Sequence, residues 1–347
     1  MHSENADSEK KPIIPGMAKS ADDTHLLEGW KKIRNSVTFK LFTMLFLLMI
    51  SLIPVAFVQD LVRERQSLQS EATENINQKW AGQQTIAGPI ITLPYEKIIV
   101  QEKKTLRTTE YLHILPEQVN IEGEMEPKTL HRGIYDMVVY TSDLKVSGSF
   151  SPNQFRNLPV ANEAIDWGKA FISVGIHDLR GIEEAVELNW AGHKSNFDPG
   201  TVTTELYSSG IHQVIPLSPT LVQKKMPFHF DLKLKGNQML YFTPVGQETQ
   251  VKLESQWPNP SFDGAFLPDQ RTVNENDFQA TWKVLHLNRN YPQVWNGKQY
   301  SLESSSFGVY LLQSVDHYQK VTRSVKYALF FIGLTFLIFF FVEILTG

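Results

Sequence analysis

The residues able to do chemistry are scattered along this chain. None of the ten histidines has a second histidine two or four residues away, and no His-Glu-x-x-His run occurs, so the spacing that brings two imidazoles onto one zinc ion is missing. Cysteine is absent, which removes disulfides, thiolate metal sites and a thiol nucleophile together. Two local constellations remain. His177-Asp178 sets an imidazole beside a carboxylate, and Glu122, Glu124 and Glu126 would share one face of a strand, where side chains alternate with a period of two. Aligned carboxylates suit Ca²⁺, but the same spacing is the ordinary pattern of a solvated strand face, so no metal or cofactor is expected. Neither a Gly-x-Ser-x-Gly elbow, a Ser-x-x-Lys set with its companion motifs, nor a glycine-rich phosphate loop is present. The expected class is a protein that is not an enzyme. The alternative is a hydrolase acting through a pair of the chain's many acids.

One polar stretch stands out within apolar surroundings. Asn288-Arg289-Asn290-Tyr291 lies between Leu285 and Leu287 on one side and Trp295 on the other. In one reading the two asparagines hold a tight turn while Arg289 pairs with an acid of the same domain. In the other, Arg289 and Tyr291 form an exposed partner-binding patch, the tyrosine giving contact area and the arginine charge. These two are the candidate partner-binding residues.

The elements that must position such residues are set by two apolar blocks. Leu41–Val58 holds eighteen residues without a charge, roughly 27 Å as a helix, which is long enough to cross a bilayer. Ala328–Val342 is a second uncharged block, and Tyr327, Ile344 and Leu345 bring it to a similar length. A signal peptide shares the order of basic then apolar residues. However, forty residues precede the first block and no small-x-small cleavage pattern follows it, so it reads as an uncleaved anchor. Lys31, Lys32, Arg34 and Lys40 precede it, with no acid among residues 29–40. By the positive-inside rule the N-terminus is cytoplasmic, the intervening domain lies on the far side, and the chain then returns. Arg323 and Lys326, just before the second block, run against that count.

Past the first block, Val58, Leu61, Val62, Leu68, Ala72, Ile76 and Trp80 recur at mostly three- and four-residue steps. An amphipathic helix there either docks on the following domain or makes a coiled contact with a partner. After Gly82 the sequence turns to branched and aromatic runs between Gly and Pro punctuation, the mark of strands. Phe228, Phe230, Leu232 and Leu234 alternate with polar residues, and Gly236-Asn237 before Met239–Phe242 predicts a hairpin. Phe278, Ala280, Trp282 and Val284 alternate likewise. Leu285 and Leu287 then switch parity, predicting a bulge or bend near Val284. Short helical turns are expected at Pro152–Asn157 after Ser151 and around Asp178–Ala185.

The fold class is therefore a membrane protein with two transmembrane helices flanking a large, mostly antiparallel β domain, either one sandwich or two smaller ones, with a few short helices. In order, the expected parts are a disordered tail (1–30), a basic flank and transmembrane helix (31–58), a juxtamembrane amphipathic helix (59–81), a β-rich domain (82–322) and a second transmembrane helix (323–347). The 33 Lys and Arg against 37 Asp and Glu leave a net charge of −4, so no basic field exists to hold nucleic acid. The expected partner is the lipid bilayer.

Trp257-Pro258-Asn259-Pro260-Ser261-Phe262-Asp263-Gly264-Ala265-Phe266-Leu267-Pro268, followed by Leu287 through Trp295, resembles the CreD family of bacterial inner-membrane proteins. The resemblance extends to the opening anchor, Ala87-Gly88-Pro89-Ile90-Ile91, the Phe228–Gly246 region, and Arg323-Ser324-Val325-Lys326-Tyr327-Ala328 before the second block. It implies an envelope-integrity protein with one N-terminal span, a large periplasmic domain and a C-terminal group of spans, of which this sequence carries the first. It also implies control by a two-component system and links to colicin tolerance and envelope stress. No catalytic residue comes with it. The partner it suggests is an envelope protein, lipid or glycan, bound by the periplasmic domain.

Overall fold

The computed structural model describes residues 36–101, 104–133, 135–312 and 317–346. The expected tail at 1–30 and most of the basic flank lie outside these. Two helices are long and apolar enough to cross a membrane: α1 (Val37–Lys79) and α2 (His317–Thr346). No part of either apolar window is buried against protein, and rings such as Phe42, Phe57, Phe330 and Phe331 face outward. In water such a surface would be strongly unfavourable; in hydrocarbon it is the ordinary solution. The chain forms two compact units, one made of α1 up to Gln66 together with α2, the other beginning at Ser67. Within the first, Lys40 Nζ lies 2.9 Å from Glu343 Oε1, joining the start of α1 to the end of α2, so the two helices run antiparallel.

The second unit is built of strands. The first four are long: β1 (Gln84–Gln101), β2 (Lys104–Ile114), β3 (Gln118–Arg132) and β4 (Tyr135–Phe150). Shorter ones follow: β5 (Phe171–Ile176), β6 (Glu187–Trp190), β7 (His193–Asn196), β8 (Asp198–Pro199) and β9 (Gly210–Val214). Then come β10 (Met226–Asn237), β11 (Met239–Thr243), β12 (Glu248–Ser255) and β13 (Pro260–Gly264). The last are β14 (Gln270–Val273), β15 (Phe278–Leu285), β16 (Val294–Asn296) and β17 (Phe307–Leu311).

Among the described residues these make two sheets. The nine-stranded one runs β13-β17-β11-β1-β5-β9-β8, with β2 on β1 and β16 on β2; the eight-stranded one runs β14-β15-β12-β3-β4-β10-β6-β7. All ladders are antiparallel except β1 with β11 and β3 with β12. One apolar cluster takes side chains from both sheets, so the domain is a single sandwich. The alternation read from the sequence explains why. On β10, Phe228, Phe230, Leu232 and Leu234 are buried while His229 and Asp231 face out, and Val251 and Leu253 on β12 and Trp282 on β15 fill the same layer. Each such side chain contributes about 1.5–3 kcal/mol on burial.

Three local expectations are sharpened or corrected. The Gly236-Asn237 turn does not make a hairpin: β10 pairs with β4 and β6, β11 pairs with β1 and β17, and the chain crosses from one sheet to the other between them. Gly236 lies against the Tyr140 ring, where a Cβ would come within 2.3 Å of the phenol oxygen. Asn237 Nδ2 donates to Ala81 O at 2.6 Å, and Gln238 takes a φ of 53°, so the corner is held by tertiary bonds. Near Val284 there is no bulge, because the β12–β15 register runs unbroken to Leu285; the parity change is the end of the strand, followed by a 3₁₀ turn at His286–Asn288. The helical turns predicted after Ser151 and Asp178 are single 3₁₀ turns, Pro152–Phe155 and Leu179–Gly181. In the second unit, Ile76 in the last turns of α1 and Trp80 just after it dock on Leu130, Met137 and Val139, and Trp80 Nε1 donates to Gly236 O at 3.2 Å.

Candidate functional site

The two residues picked from the sequence are interior. Arg289 is 8% exposed and Tyr291 6%, so an exposed partner-binding patch of this pair is ruled out. The partner of Arg289 is not an acid either. Its Nη1 donates to Tyr291 O, and its Nη2 donates to the Gln293 side-chain oxygen, to Val245 O at 3.3 Å and to Gly246 O at 3.4 Å. The guanidinium lies over the Tyr291 ring at 4.3 Å, and the phenol donates to Pro244 O at 2.9 Å. Gln293 Nε2 in turn donates to Pro116 O at 3.0 Å. The connections β2–β3, β11–β12 and β15–β16 all cross between the sheets, and this network ties the three crossings together. Burial lowers the Arg289 pKa to about 10, which leaves it charged at neutral pH. Of the two asparagines expected to hold a turn, Asn288 does so, with Leu285 N donating to its Oδ1 at 3.0 Å.

A second polar chain was not visible in the sequence. Thr92 on β1 stands opposite His113 on β2, with Oγ1 and Nδ1 3.0 Å apart, and His113 Nε2 lies 2.9 Å from Glu205 Oε2. A carboxylate accepts only, so it selects the tautomer with hydrogen on Nε2, and Thr92 then donates to Nδ1. Burial holds the His113 pKa down to about 4, and burial with the Glu110 charge raises that of Glu205. Hydroxyl, imidazole and carboxylate in line is the order that activates a nucleophile. Thr92 and His113, however, are at 0% exposure, so no substrate reaches the hydroxyl. The signal that could have found the pair is the β1–β2 register, in which Gln101 faces Lys104 and Thr92 faces His113. Glu205 comes from a distant loop and no local pattern announces it.

The exposed candidate lies where the sequence was densest. Pro260–Val273 supplies the last strand of each sheet, β13 ending the nine-stranded one and β14 the eight-stranded one. Phe262 and Phe266 pin it inward, with ring centroids 5.8 Å from Trp282 and 5.8 Å from Phe307 respectively. The outward side is apolar in part: Leu267 is 65% exposed and Val273 47%. On β13, Pro260 lacks an N–H and blunts the edge, whereas β14 carries no proline and pairs only with β15 among the described residues. Its other backbone edge pairs with no strand among the described residues. An open groove of about 400 Å³ lies over the outer face of β14, β15 and β12, lined by Gln250, Asp269, Gln270, Thr281, Lys283 and Leu285 among others. Glu122, Glu124 and Glu126 lie on exposed positions of β3 in the same sheet, and no group of three or more His, Asp or Glu among the described residues is placed to hold a metal ion.

An apolar helix pair and a β sandwich of crossed connections define a membrane protein with a large domain outside the lipid. The family model described as "Inner membrane protein CreD" matches residues 36–347. The chain is 31% identical over 323 residues to inner membrane protein CreD of Escherichia coli (strain K12), covering 91% of this chain and 70% of that protein. It belongs to the CreD family.

Proposed function

We propose that this inner-membrane protein supports the integrity of the cell envelope by binding an envelope partner through its β domain, without catalysing a reaction. The N-terminus is cytoplasmic in this reading, as Lys31, Lys32, Arg34 and Lys40 favour, and the β domain is periplasmic. The observation that carries it is the edge of β14, which pairs only with β15 among the described residues, together with exposed Leu267 and Val273. A strand edge offers a row of backbone donors and acceptors, and flanking apolar side chains add contact area, which favours a polypeptide over a lipid or glycan as the partner. The alternative, a membrane-anchored hydrolase, would draw on Thr92, His113 and Glu205, and the complete burial of the hydroxyl counts against it.

The double variant Leu267→Asp, Val273→Lys places charges on exposed positions, so its melting should stay within about 0.5 kcal/mol of the parent. It should nonetheless fail to restore envelope resistance in cells lacking the gene. Full restoration would remove the edge from the account.

A further inference from the structure

Arg323 and Lys326 are cations that the positive-inside count leaves unexplained, and the helix pair gives them a setting. The apolar block of α1 ends at Val58 and that of α2 begins at Tyr327, so Gln59–Gln66 and Thr322–Lys326 flank the same end of the pair. Between them is an open groove of about 260 Å³, whose lining includes Gln59, Val62, Arg63, Gln66, Val325 and Lys326. At the other end of the pair the charges are matched, Lys40 against Glu343 at 2.9 Å. At this end they are not. Arg63 shares its charge only with Asp60, in an exposed contact at 3.4 Å, and neither Arg323 nor Lys326 has an ion-pair partner among the described residues. From Lys40 to Arg63 along α1 is roughly 34 Å, so the groove sits one hydrocarbon thickness from the matched pair, at the depth of lipid phosphates.

We propose that this groove holds the phosphodiester headgroup of an anionic phospholipid. Arg63 and Lys326 supply the charge, with the arginine fork matching two phosphate oxygens. Gln59 and Gln66 have amides to donate to phosphate or glycerol oxygens, and Val62 and Val325 give the glycerol and the first methylenes an apolar floor. A basic recess between transmembrane helices at the interface is the arrangement that selects anionic headgroups over zwitterionic ones. The proposal requires only that both helices cross the bilayer; it is independent of which side the β domain occupies and of what that domain binds.

The test uses the full chain in nanodiscs made of equal phosphatidylcholine and phosphatidylglycerol, with retained lipid identified by native mass spectrometry. Phosphatidylglycerol should be retained over phosphatidylcholine by on the order of fivefold or more. Arg63→Gln with Lys326→Gln should abolish the excess, while Arg63→Lys with Lys326→Arg, which keeps both charges, should preserve most of it. Inorganic phosphate at millimolar concentration should not displace the lipid. Equal retention of the two lipids by the parent, an undiminished excess in the glutamine variant, or displacement by inorganic phosphate would each overturn the proposal.

Discussion

Replacing Arg289 by alanine is expected to destabilise the β domain by about 3–5 kcal/mol, a large share of the stability of an ordinary domain. The guanidinium satisfies the carbonyls of Val245, Gly246 and Tyr291 and the Gln293 side chain at once. Without it those acceptors are left inside with neither a donor nor water, and the Tyr291 ring loses the cation above it. Arg289→Lys should recover little, because a point charge with one nitrogen cannot reach acceptors on separate crossings. Tyr291→Phe, which removes only the bonds to Pro244 O and Ser305 Oγ, should cost about 1–2 kcal/mol. Urea unfolding of the full chain, followed by the fluorescence of buried Trp190, Trp282 and Trp295, measures all three. Unchanged melting for Arg289→Ala would show that the crossings do not depend on it.

The second large effect is on pH dependence. His113 is neutral in the folded protein because burial holds its pKa to about 4, against 6.5 when free. Between these values the unfolded chain takes up a proton that the folded chain refuses. Stability therefore falls as the pH is lowered from 6.5 towards 4, by a total of about 3 kcal/mol. Glu205 acts in the opposite sense, since its raised pKa lets the folded protein take a proton first as the pH falls, returning part of the loss. Asp178 belongs to a lower window: the Arg180 side chain holds it at about 2, so its contribution is lost only below 3.8. His113→Gln should be less stable than the parent at pH 7 and show a flatter decline between 6.5 and 4. The same slope in parent and variant would mean that His113 does not control this window.

Much of this architecture is legible from residue type alone, and the limits fall at identifiable places. The two apolar blocks are legible because eighteen uncharged residues have few alternatives in water. Strands β10, β12 and β15 are legible because one face is core and the other solvent, so burial imposes a period of two. The β10–β11 corner is not, because Gly236-Asn237 has the chemistry of a hairpin turn; what decides is that Tyr140 and Ala81 occupy the positions around it. Arg289 shows the same limit from the polar side: its type says that it needs acceptors, and only the tertiary fold reveals that these are backbone carbonyls of two sheet crossings and the Gln293 side chain, which reaches the third. Leu287 is the converse, an apolar residue left 79% exposed by the 3₁₀ turn that carries it. The β14 edge could not be told from an inner strand, since a strand becomes an edge only through the order of the sheet. The resemblance through Trp257–Pro268 marked that region without saying what it does.

The proposed periplasmic side of the β domain is directly measurable, because the sequence contains no cysteine. Glu275→Cys introduces a single thiol at an exposed position in the loop between β14 and β15. In intact spheroplasts a membrane-impermeant maleimide should label it as fully as in lysed cells, while a cysteine-free parent stays unlabelled. Labelling that appears only after lysis would place the β domain in the cytoplasm and contradict the account.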